Sequence, residues 1–353
     1  MKKVVKILLP FLLATSTIFC GCKKKETEDN KVLLSFGDVN STGTTDISLA
    51  GLATRTDDKE SFLLVVSTNT CGCWDKFEPN LEKYLQVNKA ICYRIDYNQI
   101  KDIAADIYHI YSLSSSTTTF AIFENGAVKK TISTSKESEI MYDENRFFKF
   151  MNENVRLPSC YFITKDNYET IKSSGKNAVV YFERSECGDC KNVNPTLLYS
   201  YFKNHTNTNK IYVLDCQPYW KAKSDTDYQQ YVDAKKQLGL ASETNPLYGY
   251  EEGVFPFFSY IENCAYASGA VIYNQKVTEQ DGKYFVSESY YSQERVASLQ
   301  YTDSVLTGKE LTANDVSVSG TRVSWNLESA NKAYEPYLNS FLDYALPKVT
   351  FNF

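Results

Sequence analysis

Residues 179–195, VVYFERSECGDCKNVNP, join a run of β-branched and aromatic residues to a C-x-x-C pair and then to a stretch with helical spacing. The run from Ala178 to Phe182 is apolar without alternation, as expected of a strand buried on both faces. It enters Glu186-Cys187 directly, Gly188 lets the loop turn tightly, and a helix is expected from about Asn192 to Asn204. Two thiols at the carboxyl end of a central strand lie where open α/β sheets place their reactive groups.

Outward from this stretch, Cys160 to Ile163 reads as a strand and Asp166 to Lys172 as a helix. Downstream come a strand, Ile211 to Asp215, and a hairpin of Phe257 to Ile261 with Ala270 to Tyr273. A last helix, Ala330 to Leu346, carries the stripe Tyr334, Tyr337, Leu338, Phe341, Leu342 and Ala345. The same order occurs earlier in the chain. FLLVVS, residues 62–67, leads into Cys71; Phe77 to Leu85 has helical spacing, and Ala90 to Ile95 is a strand. Asn125-Gly126 then marks a hairpin between Thr119 to Phe123 and Ala127 to Ile132, and a helix is expected over Lys136 to Asn154.

On these residues the chain resembles thioredoxin, and it does so twice. In the second copy Cys187, Cys190 and Pro195 keep the family's spacing, Asp215 stands where the family closes its middle strand, and Pro256 matches the cis-proline that faces the disulfide. The resemblance covers about residues 157 to 346 and implies an α/β fold: two tandem thioredoxin-like three-layer α/β/α domains, the second with insertions. The expected division is 1–22 signal peptide, 23–40 tether, 41–154 a degenerate domain with C-x-C, and 155–353 a domain with C-x-x-C. Insertions are expected over Gln217 to Gly253, with a helix-like stretch Asp227 to Leu240, and between Lys276 and Ala330. Tyr181 replaces the buried acid that many thioredoxins keep six residues before the first cysteine. In the first copy Cys71 to Pro79 keeps the interval, but the partner thiol is Cys73, Trp74 holds the resolving position and Thr118 falls at the cis-proline position. A trans peptide is the default there, since a non-proline cis bond costs about 2.5–4 kcal/mol.

The resemblance implies thiol-disulfide exchange, in which Cys187 attacks, Cys190 resolves, and substrate backbone lies along Phe255 and Pro256. Cys71 and Cys73 form a secondary thiol pair expected to contribute little. Glu183, Glu186 and Asp189 surround the attacking thiol, and negative charge there is expected to disfavour the thiolate and make the pair comparatively reducing. A redox-silent docking module on the same fold is the alternative. A zinc site of Cys187, Cys190, Cys216 and Cys264 is a third reading, disfavoured because the last two are far apart in sequence. Cys216 and Cys264 could instead bridge one another, while Cys92 and Cys160 read as buried strand thiols. Neither a metal nor a cofactor is implied.

The start of the chain fits export. Lys2, Lys3 and Lys6 precede an apolar run from Ile7 to Phe19, shorter than the roughly 20 residues that span a bilayer. Phe19-Cys20-Gly21-Cys22 resembles a bacterial lipobox, which implies diacylation at Cys22 and a membrane-anchored lipoprotein of the bacterial cell envelope. Eight cysteines remain beyond the two in the signal region, and in an exported chain such a set can be oxidised. The expected partners are envelope proteins with disulfides or thiols, and the membrane through the anchor. Lys+Arg 38 against Asp+Glu 43, a formal charge of -5, leaves no basic field for nucleic acid.

Overall fold

A computed structural model describes residues 30–38, 42–113, 118–206, 209–219, 255–295, 306, 308–320 and 322–353. Cys22 and the signal segment, the helix expected over Asp227 to Leu240 and the peptide bond before Thr118 lie outside the described residues.

After β1 (Val32–Leu33), the first half runs β2 (Gly43–Asp46), α1 (Leu49–Asp57), β3 (Leu63–Ser67), α2 (Gly72–Asn88), β4 (Ile91–Asp96), α3 (Tyr97–Ile100) and α4 (Ala104–Ile110). It continues through β5 (Thr119–Glu124), β6 (Ala127–Ser133), α5 (Ser138–Met141) and α6 (Glu144–Asn154). Its sheet has the order β2-β4-β3-β5-β6. The first three strands are parallel and the last two form the expected antiparallel hairpin. Asn125 and Gly126 take positive φ at its turn, and a Cβ on Gly126 would meet the carbonyl oxygen of Thr56 at 2.2 Å, so no side chain fits. The single helix expected over Lys136 to Asn154 is two, because the Asp143 carboxylate accepts from the Arg146 amide and starts α6 anew.

The second half repeats the plan after β7 (Val155–Arg156): β8 (Cys160–Phe162), α7 (Lys165–Ser173), β9 (Ala178–Glu183), α8 (Gly188–Asn192), a π-turn (Val193–Leu198), α9 (Tyr199–Asn204), β10 (Ile211–Asp215) and β11 (Phe257–Glu262). Next come β12 (Ala265–Gln280), β13 (Lys283–Arg295), β14 (Glu310–Leu311), β15 (Val316–Ser319), β16 (Arg322–Trp325) and α10 (Leu327–Ala345). Its sheet, β14-β13-β12-β11-β9-β10-β8, contains the same five-strand order, with β8, β10, β9, β11 and β12 in the places of β2, β4, β3, β5 and β6. The additional strands β13 and β14 extend the hairpin edge, and β15 pairs with β16 just before α10. The chain is thus an α/β protein with a thioredoxin-like strand order twice over, the second copy enlarged.

Alternation along the central strands sends side chains to two helical layers. Val179 and Tyr181 pack with Val193, Leu197 and Phe341, while Val180 and Phe182 pack with Tyr168, Ile171 and Cys190. In the first half Leu63 and Val65 face α2 and α6, and Leu64 and Val66 face α1 and α4. Each such burial contributes roughly 1.5–3 kcal/mol. Residues 32–36, placed in the tether by the boundary at 40, are instead packed: Val32 and Leu34 enter the first core, Leu33 and Phe36 the second. The physical reason is the apolar run itself, which alternates its side chains between two halves while β1 pairs in parallel with β7.

Candidate functional site

Cys187 leaves the carboxyl end of β9 and forms the N-cap of α8, three residues before Cys190. The helix therefore begins about four residues earlier than its apolar spacing suggested, with the C-x-x-C as its first turn. Cys187 is half-buried and Cys190 is 1% exposed. Both are free thiols, and the Arg184 amide donates to Cys190 Sγ at 3.4 Å. The Phe255-Pro256 peptide is cis, and Cys187 Sγ lies 3.9 Å from the Phe255 carbonyl oxygen, within reach of a thiol donor. Phe257 pairs with Phe182 across the sheet, so Pro256 stands opposite Glu183. The four residues singled out from sequence are thus brought together at one end of the sheet.

The loops around them are tied by side chains. Asp215 Oδ1, at the end of β10, accepts from the amides of Ser185 and Gln217. The Gln217 side chain in turn accepts at Oε1 from Arg184 Nε at 3.1 Å and donates from Nε2 to Glu186 at 3.0 Å.

Glu183, expected only as a charge near the thiol, Tyr181, known only as a departure, and Asn194, not singled out at all, make the floor of the site. Glu183 is 4% exposed, and its Oε2 accepts from Asn194 Nδ2 at 2.5 Å. Asn194 Oδ1 accepts from the buried Tyr181 hydroxyl at 2.7 Å. Asn194 belongs to the π-turn that also holds Pro195. Glu183 was legible as the next odd-numbered residue of a strand buried throughout; Asn194 carried no sequence signal beyond its place before Pro195.

Electrostatics here differ from the expectation. Cys187 is held down to about 6, chiefly by the hydrogen bond from the Cys190 thiol and further by the amides of Cys190 and Asp189; burial and the Asp189 charge push the other way. That same hydrogen bond and burial push Cys190 far up. Burial raises Asp189 and raises Glu183 to about 7, the latter against the Asn194 hydrogen bond. The acids therefore oppose the thiolate less than their formal charges suggest, and local hydrogen bonds outweigh them.

The other cysteines are dispersed. Cys216 is buried just after β10, whereas Cys264 is exposed in the turn after β11, at the sheet end away from Cys187. No disulfide joins Cys216 to Cys264, and the four cysteines of the zinc reading do not converge. Among the described residues no group of three or more His, Cys, Asp or Glu is placed to hold a metal. Cys92 is buried and Cys160, on the edge strand β8, partly so.

In the first half Cys71 and Cys73 form a disulfide at the start of α2. Trp74 behind it is buried, with the Arg94 guanidinium 5.8 Å from its ring centroid. Ser67, four residues before Cys71 as Glu183 is before Cys187, occupies the place of Glu183.

No protein-family model and no curated protein matches the chain. Among solved structures, Malassezia sympodialis thioredoxin is 14% identical and overlaps 33% of this chain and 93% of its own, with a TM-score of 0.25. Thioredoxin O1 from Arabidopsis thaliana gives 13%, 33%, 100% and 0.26. Human ERp44 in a zinc-bound form gives 12%, 63%, 50% and 0.26. At TM-scores of this size the overlaps add nothing to what the strand order and the thiols establish.

Proposed function

We propose that the chain is a thiol-disulfide oxidoreductase working through Cys187 and Cys190. The observation that carries this is the pairing of a half-buried thiol of lowered pKa with a buried thiol one helical turn behind it. The Cys187 thiolate attacks one sulfur of a substrate disulfide, forming a mixed disulfide and releasing the other sulfur as a thiolate that takes a proton from water. Cys190 then gives its proton to the Glu183 carboxylate and attacks Cys187 Sγ. The second substrate sulfur leaves, and two electrons have passed from the dithiol to the substrate. Run backwards, the same steps insert a disulfide. Phe255 and Pro256 border the attacking sulfur and supply backbone for an extended substrate segment.

The compartment belongs to the same proposal: a lipoprotein anchored through Cys22 in the bacterial envelope and acting on envelope proteins. A radioactive fatty acid should label the chain and not Cys22→Ser; label that persists in that variant and vanishes from Cys20→Ser places the anchor elsewhere.

For the chemistry, Cys190→Ala should accumulate disulfide-linked partners that a reductant releases, and Cys187→Ser/Cys190→Ala should accumulate none. No adduct, together with no exchange between the purified dithiol and a model disulfide, sinks the redox reading and leaves a docking module.

A further inference from the structure

Beneath the two thiols, Tyr181, Asn194 and Glu183 form a polar chain inside an otherwise apolar core. Tyr181 is fully buried and stacks on Phe258 at 4.2 Å, and Glu183 is nearly so. The Asn194 amide stands between them, 2.7 Å from one and 2.5 Å from the other. Its orientation follows from chemistry: an ionised carboxylate only accepts, so the amide nitrogen must face Glu183 and the amide oxygen must face the Tyr181 hydroxyl, which can donate. Glu183 Oε2 is thereby permanently supplied with a donor. A proton arriving at this carboxylate adds to the other oxygen, Oε1.

We propose that Asn194 is a positioning residue for the resolving step, directing the proton that leaves Cys190 onto Oε1 of Glu183 and keeping that carboxylate ionised until the proton arrives. This rests on the thiol-exchange reading above. The Glu183-Arg184 peptide places the acid next to the amide that donates to Cys190 Sγ, and both thiols lie within electrostatic reach of Glu183 and Tyr181. The π-turn widens the helix where Asn194 sits, one turn beyond Cys190. The first half has no counterpart, with Ser67, Val65 and Glu78 at the positions of Glu183, Tyr181 and Asn194. The step balances: Cys190 S–H breaks, Oε1–H forms, the new thiolate makes the sulfur–sulfur bond to Cys187, and the substrate sulfur departs with the electron pair.

The test follows one resolving event. Cys187 is loaded with 5-thio-2-nitrobenzoate, and release of the yellow thiolate by Cys190 is timed from pH 5 to 9. Wild type should release it faster as pH rises through Glu183 titration, and Glu183→Gln should lose that inflection. Asn194→Leu should keep the inflection but move it up by about one to two pH units, the loss of one hydrogen bond to a charged group, with Asn194→Gln restoring part of the shift. Should Asn194→Leu fail to fold, Tyr181→Phe, which removes the donor that orients the amide, must move the inflection in the same direction. An unchanged midpoint in the folded variant overturns the positioning role. If wild type releases nothing at any pH, the thiol-exchange reading itself has failed.

Discussion

Asn192 and Asn331 hydrogen-bond one another in both directions, each amide donating to the other's oxygen at 2.9 and 3.0 Å. The pair joins the helix that carries Cys190 to α10, which enters the sequence about 140 residues later. Asn331→Ala should lower unfolding free energy by about 1–3 kcal/mol, because a partly buried amide is left without its partner. Asn192→Leu/Asn331→Leu should cost less than the two single changes summed. Urea midpoints at unchanged slope decide it, and additive single effects would rule out the coupling.

Cys187 should alkylate with a midpoint near pH 6, set mainly by the thiol of Cys190. Cys190→Ala removes that donor and should move the midpoint up, and Asp189→Asn should move it down by relieving like charge. A wild-type midpoint in the ordinary thiol range, indifferent to both changes, contradicts the hydrogen-bonded thiolate.

Glu183 makes stability depend on pH. Its carboxyl is raised from 4.5 to about 7 in the folded state, so the native chain holds a proton that the unfolded chain has released. Its contribution is fully present below about pH 4.5 and is lost as pH rises through about 7. The loss amounts to about 3 kcal/mol. Glu183→Gln should flatten denaturation midpoints across this window; a slope that survives the substitution assigns it to another group.

Leu33 and its neighbours bind the two halves. Leu33→Ala should cost about 2–5 kcal/mol of stability, and Tyr199→Phe about 0.5–1.5 kcal/mol for each lost hydrogen bond, to Ser61 Oγ and to the Leu33 carbonyl. A Leu33→Ala cost below about 0.5 kcal/mol, the size of an ordinary surface change, would show that β1 is not part of the second core.

Cys71→Ser/Cys73→Ser should leave exchange activity of the intact chain within about a factor of two, since Trp74 and Ser67 stand where the second half has Cys190 and Glu183. A tenfold loss, about 1.4 kcal/mol of barrier, would make the first disulfide part of the reaction.

Local signals were enough for the two copies of the plan and the C-x-x-C, because a buried strand, a C-x-x-C turn, an Asn-Gly hairpin and an apolar helix stripe are each written in adjacent residues, whereas Pro256 followed from the resemblance to thioredoxin. The capping residue Asp143 is equally local but is masked by the continuous helical pattern around it. What the tertiary structure alone decided depends on neighbours distant in sequence. Glu183 reads from sequence as a charge beside the attacking thiol; only when the sheet, the helix bearing Asn194 and the strand bearing Pro256 close over it does burial raise its pKa. Val32 to Phe36 reads as tether until two cores form on either side of it. The balance at Cys187 turned on hydrogen bonds from Cys190 and the amides of the first helical turn, directional contacts that a list of nearby charges does not contain.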